Sequence, residues 1–162
     1  MLSAVDYVSE LRMQAHPEGG WYAEVFRSEM KIQHQGFSGE RAASTAIYFL
    51  LEQGQFSALH RIKSDETWHF YDGAALEIIE IDFDGNLIIT RLGRQILAGE
   101  QLCYTVKAGH WFGSRPAQDS AFSLVGCTVA PGFDFADFEM PDQAWFLASF
   151  PQHTEMVRAM SR

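Results

Sequence analysis

His60 and Glu66 are the residues whose types and spacing most strongly suggest chemistry. His60 stands near the end of one predicted strand and Glu66 near the start of the next. Because side chains alternate between the two faces of a strand, a tight hairpin would direct both residues to the same face. A histidine and a carboxylate that face one pocket can act as an acid–base pair or as metal ligands. They could equally form a buried pair that only fixes the hairpin, and the spacing leaves these readings open.

Aromatic and histidine side chains elsewhere in the chain are the candidates for ligand binding. The residues predicted to line a pocket around His60 and Glu66 are Tyr48, His69, His110, Trp111 and Phe112. Trp111 and Phe112 could form an aromatic wall that stacks on a ligand, although core packing is the more common role of such rings. Strict alternation along the strand sends His69 to the face opposite Glu66.

Short strands separated by turn signals must position these residues. Apolar and aromatic runs predict strands over residues 21–27, 43–51, 56–62, 67–71, 75–82, 86–92, 102–106, 110–114 and 121–129. Asp72-Gly73 and Asp84-Gly85 lie between apolar runs and therefore predict hairpins. No crossover helices separate the strands, so the pattern predicts an antiparallel all-β sandwich or barrel and excludes a parallel α/β fold.

Helices are predicted only at the two ends of the chain. Ser3-x-x-Asp6 resembles a capping box and begins a predicted short helix over residues 3–14. Two further helices are predicted over 142–149 and 152–160. The polar segment 30–41 contains two glycines and is predicted to be a long mobile loop. Together these elements predict one domain over residues 1–162.

Composition and charge exclude several classes of protein. The chain has 162 residues, of which 47% are hydrophobic and only 20% are charged, and this combination excludes an intrinsically disordered chain. The formal net charge is −9 and no basic cluster is present, so nucleic acid is not an expected partner.

Neither a membrane nor an oxidising compartment is indicated. The longest apolar run, residues 46–51, is far shorter than the ~20 residues that a membrane helix needs. The amino-terminal residues lack the pattern of a secretory signal, so we expect a cytoplasmic protein with no membrane partner. Cys103 and Cys127 lie in strand-like stretches and are predicted to be buried, reduced thiols.

The residues around His60 resemble the first cupin motif, His-x-His-x3-Glu-x6-Gly. His60, Glu66 and Gly73 match that motif, and Gly109 matches the glycine of the second motif, Pro-x-Gly-x2-His. Further segments that resemble the fifth cupin subfamily are 16–22, 47–51, 108–114 and 127–135. The resemblance implies a double-stranded β-helix, or jelly-roll barrel, similar to those of sugar epimerases and germins, and commonly a dimer.

Two departures from the cupin motifs bear on the expected cofactor. Ile62 and Phe112 stand where the family has histidine ligands, so only His60 and Glu66 remain of a site built from three histidines and one glutamate. Two protein ligands hold a metal poorly. We therefore predict no metal and no other cofactor, although His69 or His110 would supply a third ligand if the backbone bulged.

The favoured function is that of a metal-free barrel pocket for a small polar ligand, such as a sugar derivative. In an isomerase or epimerase, His60 would abstract a proton beside a carbonyl and Glu66 would orient the imidazole. Tyr48, Tyr71 or Tyr104 would then return a proton from the other face. A non-catalytic binding module is the first alternative, and a metal-dependent oxygenase or isomerase is the second. Whether the chain is an enzyme stays open.

A homodimer is also predicted. The edges of jelly-roll sheets must be covered. The strand at 21–27 carries Trp21, Val25 and Phe26 and could pair with its copy across a two-fold axis.

Overall fold

A computed structural model describes residues 2–117 and 121–162, and strands form most of its regular structure. The strands are β1 (Gln14–Ala15), β2 (Trp21–Arg27), β3 (Lys31–Ile32), β4 (Arg41–Ala42), β5 (Thr45–Glu52), β6 (Ser57–His60), β7 (Asp65–Gly73), β8 (Leu76–Ile81), β9 (Leu87–Leu92), β10 (Cys103–Val106), β11 (Trp111–Pro116) and β12 (Phe122–Ala130). The all-β prediction is confirmed, and strand boundaries agree with the sequence pattern to within a few residues.

Helices lie at the two ends of the chain, as predicted. They are α1 (Ala4–Glu10), α2 (Gln143–Ser149) and α3 (Thr154–Met160). Single 3-10 turns cover Ile96–Ala98, Phe135–Asp137 and Pro151–His153. The capping box at Ser3 and Asp6 is present, but α1 ends at Glu10, earlier than predicted. None of the helices in the described part of the chain is long and apolar enough to cross a membrane.

Two antiparallel sheets face each other and form the jelly roll. The larger sheet has the strand order β1-β2-β5-β12-β7-β10, and the smaller has the order β6-β11-β8-β9. The core between them takes side chains from both sheets, among them Phe49, Trp68, Ile78 and Phe112. Burial of these apolar side chains is the main force that closes the two sheets on each other.

The terminal helices cover the outer faces of the sheets. Side chains of α2 and α3, including Phe146 and Val157, pack on Leu59, Ile79 and Ile81 of the smaller sheet. On the larger sheet, α1 packs over Leu50 and Leu124. Strands such as β8 are therefore apolar on both faces, because one face meets the core and the other meets a helix.

Two of the predicted hairpins are instead crossings between the sheets. The strand that ends at His60 belongs to the smaller sheet, and the strand that carries Glu66 belongs to the larger one. Asp72-Gly73 likewise leads from β7 to β8 in the opposite sheet. Gly73 has φ +85°, and a Cβ atom there would lie 2.4 Å from the Phe122 carbonyl oxygen, so this crossing requires glycine. The Asp84-Gly85 hairpin is confirmed, because β8 and β9 pair antiparallel.

Two further expectations need correction. The segment 30–41 contains β3, which pairs with β4, so a short ladder replaces the uninterrupted loop. Cys103 is exposed, because β10 is the edge strand of its sheet, whereas Cys127 is buried in the core as predicted.

Candidate functional site

A cavity of about 320 Å³ lies between the two sheets, next to the ends of β6 and β7 that carry His60 and Glu66. Its interior holds five ionisable side chains, each less than about a tenth exposed: His16, Glu18, His60, Glu66 and Cys127. Its wall is largely apolar and aromatic: Tyr22, Thr45, Ile47, Val129, Phe133 and Phe135. Exposed charged residues complete the opening: Glu24, Arg27 and Asp134. An apolar cavity with a few convergent polar groups is the usual form of a small-molecule site.

The turn between β1 and β2 carries Glu18 into the cavity. The carbonyl of Glu18 accepts a hydrogen bond from the Ala58 amide at 2.8 Å, which fastens the turn to β6. Gly19 has φ +118°, and a Cβ atom there would lie 2.1 Å from the Phe56 carbonyl oxygen. Only glycine permits so close an approach of the turn to the neighbouring chain.

Both ring nitrogens of His60 are engaged within the protein. Nδ1 lies 2.7 Å from the Ala58 carbonyl oxygen, to which it donates its hydrogen. Nε2 lies 3.0 Å from Glu18 Oε2. The ring packs between Phe112 and Phe138, with centroid distances of 4.2 and 5.2 Å. His60 is thus held rigidly by contacts on its faces and at both nitrogens.

His60 and Glu18 form a buried ion pair. Burial alone would lower the pKa of His60, but the charge of Glu18 and the hydrogen bonds that His60 donates to Glu18 and Ala58 outweigh it, and the pKa is raised. Burial would raise the pKa of Glu18, but the charge and hydrogen bond of His60 hold it below its usual value. Ser57 also donates a hydrogen bond to Glu18 Oε1 at 2.8 Å. The pair is therefore an imidazolium and a carboxylate.

His16 remains neutral beside this pair. Its Nδ1 accepts a hydrogen bond from the Glu18 amide at 3.2 Å, so that nitrogen carries no proton. Burial lowers the pKa of His16 in spite of the nearby Glu18 carboxylate. The 3.7 Å approach of His16 Nδ1 to Glu18 Oε2 is consequently not a second ion pair.

Glu66 is a buried carboxyl group of the cavity, and within the described residues it has no charged partner in contact with it. It is 8% exposed and forms no ion pair within the described residues. Burial, together with the negative charge of Glu18, raises its pKa to about 7, although His60 and a hydrogen bond with the Cys127 thiol act in the opposite direction. Burial and the adjacent Glu66 raise the pKa of that thiol well above its usual value. Glu66 is poised to take up or release a proton near neutral pH, and Cys127 remains a thiol.

The rim of the cavity is held by ion pairs. Arg27 donates from Nε and from one terminal nitrogen to Glu24, at 3.0 and 2.7 Å. Its other terminal nitrogen donates to the Phe133 carbonyl oxygen at 3.2 Å, which joins β2 to the segment after β12. Behind that segment, Arg41 and Asp137 form a buried bidentate pair with distances of 2.7 and 2.8 Å.

Only two of the predicted site residues line the cavity: His60 and Glu66. They face each other across the interior from opposite sheets, and the partner that contacts His60 is Glu18. The predicted alternation for His69 is confirmed, because it hydrogen-bonds Thr128 and lies outside the cavity lining.

The other predicted ligand-binding residues lie elsewhere. Tyr48 is outside, where it packs beneath α1, and Trp111 is outside, where it contacts Phe146 of α2. Phe112 is inside the barrel, but it is buried in the core behind His60. The prediction that these three rings line the pocket is wrong. Tyr48 and Trp111 lie on outer faces of the strands that the terminal helices cover, and Phe112 is part of the apolar core of the barrel.

His110 belongs to a second buried polar cluster, on the far side of Phe112. Its Nδ1 contacts Glu80 Oε1, and the Tyr104 hydroxyl donates to Glu80 Oε2 at 2.7 Å. Because Tyr104 belongs to this cluster, it does not line the cavity. Tyr71 does not line it either, since it is exposed on the outer face near Tyr48. Among the tyrosines of the described chain, Tyr22 lines the cavity.

The residues present do not fit the metal site of the typical cupin motif. Ile62 and Phe112, which stand at two of the ligand positions, are buried in the apolar core. The Nε2 atom of His60 is already engaged by Glu18 at 3.0 Å. Within the described residues, no group of three or more histidine, cysteine, aspartate and glutamate side chains is arranged to hold a metal ion.

Comparison with known proteins identifies the family of this chain. The model of the Cupin_5 family of the cupin superfamily (DUF985) matches residues 5–141. A hypothetical protein from Leishmania major is 37% identical, with a TM-score of 0.93 over 99% of both chains. A protein from Shewanella oneidensis is 41% identical, with a TM-score of 0.92 over 100% of this chain and 99% of the other. No protein with a curated description matches.

Oxalate decarboxylase from Bacillus subtilis is similar in fold alone. One of its structures is 14% identical, with a TM-score of 0.57 over 90% of this chain and 36% of the other. The family match, by contrast, covers most of the sequence. It includes both the turn that carries Glu18 and the segment after β12 that carries Phe133. The chain is a member of the Cupin_5 family of the cupin superfamily.

Proposed function

We propose that this cupin binds a small polar molecule in its barrel cavity and transfers a proton there through Glu66. The observation that carries the proposal is a buried carboxyl group, without an ionic partner in the described residues, that lines a cavity of about 320 Å³. Its pKa of about 7 supports the same conclusion, because a general acid or base works best near the operating pH.

The contacts of His60 favour Glu66 as the general base, whereas the sequence suggested His60 for that role. An imidazolium whose two nitrogens donate to Ala58 and Glu18 has no lone pair with which to accept a proton. Ionised Glu66 would instead take the proton from a carbon beside a carbonyl group. The electron pair of the broken C–H bond would form a C=C bond, and the π electron pair of the carbonyl group would move to its oxygen. The His60–Glu18 ion pair has a positioning role: its two charges act on Glu66 and help to set the pKa of that carboxyl group.

A single carboxyl group suits an isomerase better than an epimerase. Glu66 can take a proton from the hydroxyl-bearing carbon and return it to the adjacent carbonyl carbon. When the proton of that hydroxyl group also passes to the carbonyl oxygen, an aldose-like compound becomes its ketose isomer. Inversion at one carbon would need an acid on the other face, and Tyr22 is the tyrosine of the cavity lining that could supply it. Its hydroxyl already accepts a hydrogen bond from Gln14, at 3.1 Å.

Solvent exchange tests this proposal. The wild-type protein, incubated in deuterated water with aldoses and ketoses of three to six carbons, should incorporate deuterium at the carbon beside the carbonyl, as read by NMR. Because the base must be ionised, the rate should rise as the pH passes about 7. Glu66→Gln should lower the rate about 100-fold or more. Glu139→Gln, on the surface outside the cavity, is the control.

Two outcomes would overturn the proposal. Exchange that Glu66→Gln leaves intact would remove Glu66 from the chemistry. Ligand binding with no exchange on any compound would favour the non-catalytic binding module.

A further inference from the structure

The cavity has more negative than positive groups around it. Its lining contains the carboxyl groups of Glu18, Glu24, Glu66 and Asp134, but among the described residues Arg27 is its one arginine or lysine. The positive charge of His60 is balanced by Glu18 at 3.0 Å. A negatively charged ligand would therefore meet an unfavourable field.

Arg27 is already paired with a carboxylate. Two of its donors are used by Glu24, and a third is used by the Phe133 carbonyl oxygen. Two N–H donors of Arg27 remain, but Glu24 already balances the charge of the guanidinium, so a phosphate or a carboxylate would gain less from it. The arginine of the lining is thus already neutralised, and an anionic ligand would find no unpaired positive side chain among the described lining residues.

Four neighbouring rings of the cavity lining form an aromatic wall: His16, Tyr22, Phe133 and Phe135. The rings of His16 and Tyr22 are 4.6 Å apart between centroids, and those of Phe133 and Phe135 are 4.9 Å apart. His16 and Phe135 lie 6.5 Å apart and are nearly parallel, which joins the two pairs. The faces of aromatic rings attract cations, and the recognition of ammonium groups uses walls of this kind.

Two carboxyl groups are placed to add to that attraction. Asp134 lies between Phe133 and Phe135 in the chain and is exposed at the opening. Glu66, nine-tenths buried and without an ionic partner in the described residues, faces the same cavity from within. A short molecule with an ammonium group at one end and a neutral polar group at the other would therefore complement the site. Its ammonium group would lie at the opening near Asp134, and its polar group would lie inside near Glu66.

We infer that the cavity binds a small organic cation, whose ammonium group contacts the aromatic wall and Asp134 and whose neutral polar end reaches Glu66. This inference rests on the proposed function, because it names the substrate class of the same cavity. A cavity near 320 Å³ lies at the lower end of the range for ligand pockets, so the cation must be small.

Calorimetric titration with three molecules of one shape but different charge tests the inference. The probes are choline, its uncharged carbon analogue 3,3-dimethylbutan-1-ol, and the anion 3,3-dimethylbutanoate. Choline should bind about tenfold more tightly than the uncharged analogue, and the anion should bind most weakly. Equal or tighter binding of the uncharged analogue or the anion would overturn the inference, as would the absence of choline binding at millimolar concentration.

Two variants test whether the preference for choline arises at the opening of the cavity. Phe135→Leu and Asp134→Asn should each reduce the preference for choline over the uncharged analogue. Phe83→Leu is the matched control, because Phe83 is an exposed aromatic residue that packs on His110, outside the cavity lining. Each variant is used only if its thermal unfolding midpoint matches that of the wild type. An unchanged preference in both rim variants would place the cation elsewhere and overturn the inference.

The inference and the proposed function can fail separately. Choline binding without deuterium exchange on any carbonyl compound would support the cation site and reject proton transfer. Exchange on neutral sugars without a preference for choline would do the reverse.

Discussion

Glu66 is the residue at which burial and a neighbouring negative charge act in the same direction. Both effects stabilise the protonated carboxyl group, so the pKa rises from its ordinary value of 4.5 to about 7. Glu18, buried as completely, behaves in the opposite way because the His60 imidazolium contacts it. The two glutamates of this cavity thus differ in charge near neutral pH. Glu18 remains a carboxylate and has a positioning role, whereas Glu66 can gain and lose a proton.

The raised pKa of Glu66 makes a prediction about stability. Between about pH 4.5 and 7 the folded protein keeps a proton on Glu66 that the unfolded chain has released, so the free energy of unfolding falls as the pH rises. The shift corresponds to about 3 kcal/mol. Glu66→Gln abolishes this dependence, so the variant should gain stability relative to the wild type as the pH is raised through this window.

Urea denaturation at a series of pH values measures this difference. Glu10→Gln, on the exposed surface of α1, is the control for the loss of a carboxylate. A stability difference between Glu66→Gln and the wild type that stays flat from pH 4.5 to 8 would contradict a raised pKa at Glu66.

At the scale of elements, the segment that follows β12 completes the cavity. It carries Phe133 and Phe135 in the lining and turns through the 3-10 turn at Phe135–Asp137. Phenylalanine and acidic residues alternate over much of 133–139 in this segment. The structure makes this segment part of the wall, since the Phe133 amide donates to Thr45 Oγ1 at 2.9 Å and Asp137 pairs with Arg41.

The buried pair of Arg41 and Asp137 predicts how the segment is held. Asp137→Asn removes the charge opposite Arg41, so the segment should separate from β4 more often. Hydrogen exchange of the amides in 132–138 should become about tenfold faster, and choline should bind more weakly. Mass-spectrometric hydrogen exchange provides the measurement.

The matched control for this variant is Glu139→Gln, which removes a carboxylate from the exposed pair with Arg61. Exposed pairs contribute little to stability, so exchange should stay near that of the wild type. Equal protection in both variants would mean that Arg41 does not fasten the segment.

At the scale of the whole molecule, the edge of the larger sheet is incompletely covered. β1 pairs only with Trp21 and Tyr22, so the rest of β2 has no partner strand on that side within the described residues. Val25, Phe26 and Met30 are exposed near this edge. Trp21 is not part of this patch, because it packs beneath α1 and hydrogen-bonds Glu52.

We propose that two copies of the chain associate through this edge. Light scattering after size exclusion should give about twice the chain mass of 18.3 kDa. Phe26→Glu should give a monomer, because a charge in an apolar interface is costly. Leu97→Glu, in an exposed turn outside this edge, should remain a dimer. A wild-type monomer at micromolar concentration would reject the dimer.

Local pattern in the sequence was sufficient to predict the strands, the terminal helices and the family. Alternation and turn residues act over a few neighbours, and the motif from His60 to Gly73 is contiguous. For the same reason, His60 and Glu66 could be chosen as candidates from their types and spacing alone.

The partners of these two residues were decided only by the tertiary structure. Glu18 lies in a segment, 16–22, that contributed to the family resemblance, but nothing local indicates that its carboxylate meets His60. That contact depends on the turn at Gly19, on the pairing of β2 with β5, and on the assignment of β6 and β7 to opposite sheets. Strand pairing joins residues that are distant in sequence, so the charge state of Glu66 and the shape of the cavity follow from the folded barrel.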